Sequence, residues 1–364
     1  MAEGRTRLPA RLALAAGATL VTLLVAEACV RLLAPQLRSV LPELGDTAWL
    51  REHLTDAKLG RHRQASADAA LVYELKPNLD ITFGQSRVRT DARGVRVPVQ
   101  PTPLPPGDPL DVVVLGDSTA FGWRVDYEQS YPALLALLAQ QDWQRPVRLT
   151  NLSVPGYNSE QELRLLEMLV LPDPPDLLVW HVDHNDASAV LESYQPIVLA
   201  PEVGDNVLGS QLLKALLRGQ ARHALELRLH EEVPHERLGG YITSGPLWER
   251  HVAALERGAA EVRAAGIPTL FVLFDCNVWF GVESEEHVAR LHDPLLQRLR
   301  AAGADVLDLY PALQAHAQAQ GWKDLSPLWL EPTDPHPSPA GHELLAGLIA
   351  GALHERWPTP PEQR

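Results

Sequence analysis

The sequence predicts an α/β fold, a three-layer α/β/α sandwich with a five-stranded parallel sheet. Two observations carry this. Short apolar runs rich in β-branched residues alternate with longer stretches whose leucines and alanines recur at three- and four-residue steps, the pattern of a parallel sheet covered on both faces. Several of the apolar runs also end in Gly, Asp, Asn or Ser, so polar groups collect at the strand ends, where open α/β sheets bind ligands.

Val112 to Leu115 is an apolar run stopped by Gly116, and a helix is expected to follow at Tyr127 to Gln140. Val147 to Asn151 reads as the second strand, Ser159 to Val170 as the second helix, and Leu177 to Val182 as the third strand. Helix Leu247 to Ala265, strand Thr269 to Phe274, helix His287 to Ala302, strand Asp305 to Leu309 and helix Pro339 to Leu353 complete the alternation. Between the third and fourth strands, residues 194–243 form an insertion longer than ordinary connections. Within it Leu208 to Leu229 sets Lys214, Arg218, Arg222 and Arg228 among leucines, a helix that either lies over the crevice as a lid or packs on the domain edge.

Upstream, Arg5, Arg7 and Arg11 precede fifteen uncharged residues, Leu12 to Ala26, and the apolar character resumes through Leu33. Leu12 to Ala34 is long enough to span a bilayer. Ala26-Glu27-Ala28 also offers a signal-cleavage site, but the apolar run continues past it, so an uncleaved anchor is preferred. In either case the basic end stays in the cytoplasm and the remainder lies outside. Pro35 to Ala70 reads as a helical stalk. Tyr73 to Asn78 and Val88 to Val97 read as short extended pieces, and the six prolines of Pro98 to Pro109 as a stiff linker.

At 364 residues the chain has room for one large domain with an appendage, and 46% hydrophobic against 21% charged residues is the balance of a globular protein. A net charge of -14 with no basic stripe excludes a nucleic-acid binder. The two cysteines, Cys29 and Cys276, exclude a disulfide framework, and neither has a metal-ligand partner at the usual spacing.

The chemistry centres on Gly116-Asp117-Ser118, at the end of the first strand. A serine there serves as a nucleophile only with a base to take its proton. His336 is the candidate, in the proline-stiffened run Asp334-Pro335-His336-Pro337 before the last helix. Together with Gly156 after the second strand and Asn185-Asp186 after the third, these blocks follow the order of the SGNH, or GDSL, hydrolases, which the chain resembles from about Leu110 to Leu353. The resemblance implies a flavodoxin-like sheet and a serine esterase in which Ser118 attacks, His336 moves the proton and Asp334 orients His336. It further implies an oxyanion hole made by Ser118, Gly156 and Asn185.

Two departures from the family pattern stand out. The aspartate precedes the histidine by two residues rather than three, with Thr333 at the usual position, which leaves Asp308 as a reserve. Asp183 also replaces the usual glycine before Asn185, where it either reshapes the acyl pocket or repels an anionic substrate. Asp186 is expected to brace its loop, and His342 to pack or cap. A two-metal phosphoesterase built from Asp117, His181, Asp183, His184, Asp186, His336 and His342 is disfavoured, since no Asp-x-His stands near Asp117 and His181 and His184 point to opposite faces. Trp123, Trp279 and Phe280 are left outside the site as packing residues. No cofactor or metal is expected.

The expected division is a cytoplasmic N-terminus (1–11), a transmembrane signal anchor (12–34), a stalk, extended pieces and linker (35–109), a hydrolase domain (110–357) carrying the 194–243 insertion, and a tail (358–364). The expected reaction is hydrolysis of O-acyl, notably acetyl, esters of a glycan or small molecule outside the cytoplasm. An O-acyltransferase for cell-envelope polysaccharide, or a non-catalytic carbohydrate-binding or assembly protein, is the alternative.

Overall fold

The computed structural model describes residues 59, 61–187, 237–238, 241–274, 285–332 and 334–361, together with helical Thr19, Val21, Thr22 and Val25. The proposed anchor is otherwise outside these residues, as are Cys276, Trp279, Phe280, Thr333 and the helix expected at 208–229. Among the described residues no helix is long and apolar enough to cross a membrane. Every element below belongs to the compact unit of residues 51–190 and 233–364.

Part of the stretch read as a helical stalk is strand. β1 (Arg63–Ala65) pairs antiparallel with β2 (Tyr73–Leu75). β3 (Asp80–Phe83), β4 (Ser86–Thr90) and β5 (Arg96–Val97) form an antiparallel meander. β6 (Leu110–Leu115), β7 (Val147–Asn151), β8 (Leu177–Val182), β11 (Thr269–Leu273) and β12 (Asp305–Asp308) are the five expected parallel strands, matched within two residues at each end. Two short strands, β9 (Arg237–Leu238) and β10 (Tyr241–Ile242), pair with each other between β8 and β11.

The sheet is larger than the five strands predicted. Its order is β12-β11-β8-β6-β7-β5-β4-β3, so the meander extends the parallel sheet beyond β7 to eight strands. The junction is the antiparallel pair Arg96 to Asn151. The sequence reading missed this because two-residue strands carry no period, and the partner lies more than fifty residues downstream.

Helices α1 (Ser118–Phe121), α2 (Tyr131–Trp143), α3 (Ser159–Leu165), α4 (Pro246–Ala264), α5 (Glu285–Ala301), α6 (Tyr310–Ala319) and α7 (Pro339–Arg356) fill the connections. α6 was not expected. The predicted helix at 127–140 instead starts as a 3-10 turn, Tyr127–Gln129, before α2, and the one at 159–170 ends in a π-helical turn after α3. On one face of the sheet α2, α6 and α7 pack Leu135, Leu313 and Ile349 against Val112, Val114 and Val179. Each fully buried side chain of this kind is worth about 1.5–3 kcal/mol.

The opposite face is built around Trp180, fully buried, stacked on Phe271 and donating its indole N–H to Glu162 at 2.8 Å. Gly258 of α4 lies against this ring, where an added Cβ would come within 2.4 Å of it. Gly258→Ala is therefore expected to destabilise the protein by about 1–3 kcal/mol through overpacking, read as a lower denaturation midpoint in urea; an unchanged midpoint would show that Trp180 can move. α5 lies beside α4, its Arg298 bonded to Glu256 at 2.6 and 3.0 Å.

The last expected loop is also strand. β14 (Asp334–Pro337) pairs antiparallel with β13 (Trp329–Glu331).

Candidate active site

β6, β7 and β8 run parallel, so the segments that follow them emerge at one edge of the sheet. After β6, Gly116 adopts φ +156°, and an added Cβ would meet the His181 and Ala120 side chains at 2.9 Å. Asp117 then caps α1, its Oδ1 accepting the Thr119 N–H at 3.1 Å. Ser118 is therefore the first helical residue, its side chain almost wholly enclosed.

The structure brings Ser118, His336 and Asp334 together. Ser118 Oγ lies 2.9 Å from His336 Nε2, and His336 Nδ1 lies 2.6 Å from Asp334 Oδ1. With Nδ1–H donating to the carboxylate, Nε2 is left to accept from the serine hydroxyl. The two-residue spacing that set Asp334 apart from the family pattern has a local cause: in an extended strand residues i and i+2 face the same side, and β14 is such a strand. The reserve candidate is engaged elsewhere, since Asp308 meets His292 Nδ1 at 3.2 Å and accepts the Tyr310 N–H at 3.0 Å.

Asp334 is held from behind. Its Oδ2 accepts from Arg124 at 3.0 Å, while the same guanidinium donates to Glu331 at 2.6 Å. Burial acts to raise the Asp334 carboxyl, but the hydrogen bond and charge of His336, with Arg124 added, outweigh it and hold the group at about 2. Arg124 makes these bonds from a left-handed backbone, φ +59°, a conformation costly for a side chain of this size.

Asn185 reaches the same centre through Asp117. Its Nδ2 donates to Asp117 Oδ2 at 3.3 Å, the oxygen that the Ser118 hydroxyl also approaches at 3.1 Å. The serine proton is thus contested between Asp117 and His336. Asp183 is turned inward, fully buried, and its Oδ1 accepts the Asn185 N–H at 3.0 Å. It therefore braces Asn185 instead of lining an outer pocket. Asp186 closes the same turn, accepting the Asp183 N–H at 2.9 Å.

Gly156 is exposed in the turn after β7 with φ +80°. That turn is tied to the Ser118 segment by the Val154 N–H, which donates to the Gly116 carbonyl at 3.1 Å.

Asp117, His181 and Asp183 each offer one ligand atom within 4.8 Å of the others, all three buried. Asp117 already accepts from Thr119, Ser118 and Asn185. Burial pushes the His181 imidazole down to about 4, against a smaller opposing pull from Asp117. His184 is separate from this group, its Nε2 on the Leu291 carbonyl at 3.0 Å. His342 is buried, stacked on Tyr131, with Nδ1 accepting the Tyr131 N–H at 3.2 Å. Trp123 lies beside His336 with ring centroids 5.6 Å apart, and Phe83 from the β3–β4 turn meets Trp123 edge-on at 4.7 Å.

Arg96 escaped the sequence reading. It is 2% exposed, lies over the Phe121 ring at 4.5 Å, and donates to the carbonyls of Phe121, Gly122 (2.8 Å) and Val125 (2.6 Å). It thus closes the C-terminal end of the short helix that starts with Ser118. Burial lowers its guanidinium to about 10, which leaves it charged at neutral pH. Gly122 must lack a side chain there, since with φ +81° its Cβ would sit 2.7 Å from the Arg96 guanidinium.

The model of the GDSL-like Lipase/Acylhydrolase family matches residues 114–344, which run from the end of β6 into α7. None of the curated proteins matches the chain. Among solved structures, a lipase/acylhydrolase from Enterococcus faecalis is similar at 18% identity, covering 70% of this chain and 100% of that one, with a TM-score of 0.39. The psychrotrophic esterase EstA from Pseudoalteromonas sp. is similar at 13% identity (68% and 99% covered, TM-score 0.42). A Geobacillus acetyl-xylooligosaccharide esterase is similar at 16% (69% and 97% covered, TM-score 0.43). These likenesses are low, and the family model alone, spanning more than half of the chain, decides membership: the chain belongs to the GDSL-like lipase/acylhydrolase family.

Proposed function

We propose that the protein is a serine-dependent ester hydrolase in which Ser118, His336 and Asp334 act as nucleophile, general base and orienting carboxylate. The observation that carries this reading is the continuous pair of hydrogen bonds, 2.9 and 2.6 Å, that joins the three side chains. The Ser118 hydroxyl attacks the ester carbonyl as its proton passes to His336 Nε2. Asp334 holds the imidazole in the tautomer that can accept it and stabilises the imidazolium formed. The backbone N–H groups of Ser118 and Gly156 and the Asn185 side-chain amide receive the oxyanion, and His336 returns the proton to the leaving alcohol. Water then repeats the sequence on the acyl-enzyme.

The test is covalent and kinetic. Short-chain aryl esters should be turned over, and a fluorophosphonate should add once, at Ser118, as read by mass spectrometry of the peptide. Absence of both in folded protein would overturn the reading. Asn185→Ala is expected to lower kcat by about a hundredfold or more, the usual cost of one oxyanion donor. A loss confined to KM would place Asn185 outside the hole.

We extend the proposal to O-acetyl or related esters of a glycan outside the cytoplasm. Its support is the arginine-led apolar segment 12–34, which reads as an anchor that leaves the domain on the far side. Recovery of the full chain in the membrane fraction, with acetate released from an acetylated polysaccharide, would bear it out; recovery in the cytosol would refute the location.

A further inference from the structure

We propose that Arg63 and Tyr73 are positioning residues of the oxyanion hole, acting through the peptide between Pro155 and Gly156. The inference rests on the ester-hydrolase reading, in which the Gly156 N–H is an oxyanion donor.

That N–H and the Pro155 carbonyl belong to one trans peptide, so they point in opposite directions. The Tyr157 N–H donates to the Val154 carbonyl at 3.1 Å, which sets Pro155 and Gly156 at the centre of a turn, and φ +80° at Gly156 is the value a type II turn requires there. Pro155 is buried and Gly156 exposed. On the buried side the Pro155 carbonyl accepts two bonds, from Arg63 Nη2 at 2.7 Å and from the Tyr73 hydroxyl at 3.0 Å. On the other side, among the described residues, no acceptor within the protein takes the Gly156 N–H.

Two donors on one carbonyl fix the peptide plane, and one of them is a guanidinium, whose hydrogen bonds are roughly twice as strong as neutral ones. Hydrogen bonds at one end of a peptide also strengthen the donor at the other. The arrangement is built, not incidental. Arg63 and Tyr73 sit on the same face of the β1–β2 pair, where Ala65 is opposite Tyr73 and Arg63 opposite Leu75. The guanidinium lies 5.0 Å over the Tyr73 ring. Tyr157 meets that ring edge-on at 5.1 Å and donates its hydroxyl to the Tyr73 carbonyl at 2.5 Å, which closes the frame.

The experiment compares the full chain with Tyr73→Phe, Arg63→Gln, Arg63→Lys and the Tyr73→Phe/Arg63→Gln double variant. Each is assayed for turnover of an aryl acetate and for inhibition by an aryl trifluoromethyl ketone, whose serine hemiketal places an anionic oxygen in the hole. Tyr73→Phe and Arg63→Gln should each lower kcat about tenfold with KM within twofold, and should weaken the ketone by the same factor as kcat/KM. The double variant should lose about a hundredfold, and Arg63→Lys should recover most of the Arg63→Gln loss. Tyr73→Phe removes a single hydroxyl and carries the test if an Arg63 variant fails to fold. Variants matching the wild type, or losing only in KM with the ketone unaffected, would overturn the assignment while the ester reading stands. A folded wild type that neither turns over the ester nor binds the ketone would overturn both.

Discussion

Ser118→Ala is expected to lower kcat on a short-chain aryl ester by roughly three to six orders of magnitude while leaving the fold intact, and His336→Ala to do nearly the same. Removing both should cost little more than removing either, because the hydroxyl and the imidazole act as one device: 2.9 Å apart, each is useless without the other. Additive losses would mean that one of the two serves some other purpose. Arg124 and the short β14 strand give this pair its third member, and Asp334→Asn should fall between wild type and Ser118→Ala, since a neutral amide cannot stabilise the imidazolium. The measurement is steady-state kinetics with circular dichroism on the same samples.

The second large effect concerns stability and pH. Burial drives five imidazoles below their ordinary value of 6.5: His62 and His181 to about 4, His251 and His342 to about 3, and His184 well down. These rings stay neutral in the folded chain and take up protons in the unfolded one. Their contribution is therefore complete above pH 6.5 and is lost as the pH falls toward 4 and then 3. Glu162 and Asp186 act in the opposite sense. Burial raises their carboxyls well above 4.5 and 3.8, so they keep protons that the unfolded chain gives up, and stability falls as the pH rises.

Between pH 4.5 and 6.5 the five imidazoles outnumber the two carboxyls, and acid destabilises. The unfolding free energy should fall as the pH drops from about 6.5 toward 5. Even one net proton, at about 1.4 kcal/mol per pH unit, removes about 2 kcal/mol by pH 5, a large share of a typical 5–15 kcal/mol. Urea denaturation between pH 5 and 6.5 measures this directly, and a flat profile or a rise toward pH 5 would show that the buried imidazoles bind protons in the folded chain as readily as in the unfolded one.

The parallel sheet and the side chains that meet at its edge, Ser118 and His336, were legible in the sequence because each has a local signature. Val112 to Leu115 reads as a buried strand from its own residues, and Ser118 stands immediately beyond it. His336 is marked by the prolines on either side. Asp334 was legible as a candidate, though its reach to Nδ1 depended on residues 334–337 being extended, and a proline-rich run does not declare its partner strand. Arg63, Tyr73 and Arg96 left no such mark. Their donors meet backbone carbonyls of Pro155, Phe121, Gly122 and Val125, and a carbonyl is present at every residue, so no pairing of residue types points to the contact. The one available signal was Arg96 between Val95 and Val97, a charge set inside an apolar extended piece, where burial with satisfied donors is the physical alternative to exposure.

The 218 positions from Ser118 to His336 also set an order in time. A chain emerging from the ribosome displays Ser118 long before His336, because His336 arrives only with the β13–β14 pair and α7 packs after it. Until then the Ser118 hydroxyl lacks its imidazole partner at 2.9 Å. The order of synthesis thus sets the order of assembly: the serine-bearing turn is made long before the histidine-bearing strand that completes the proposed site.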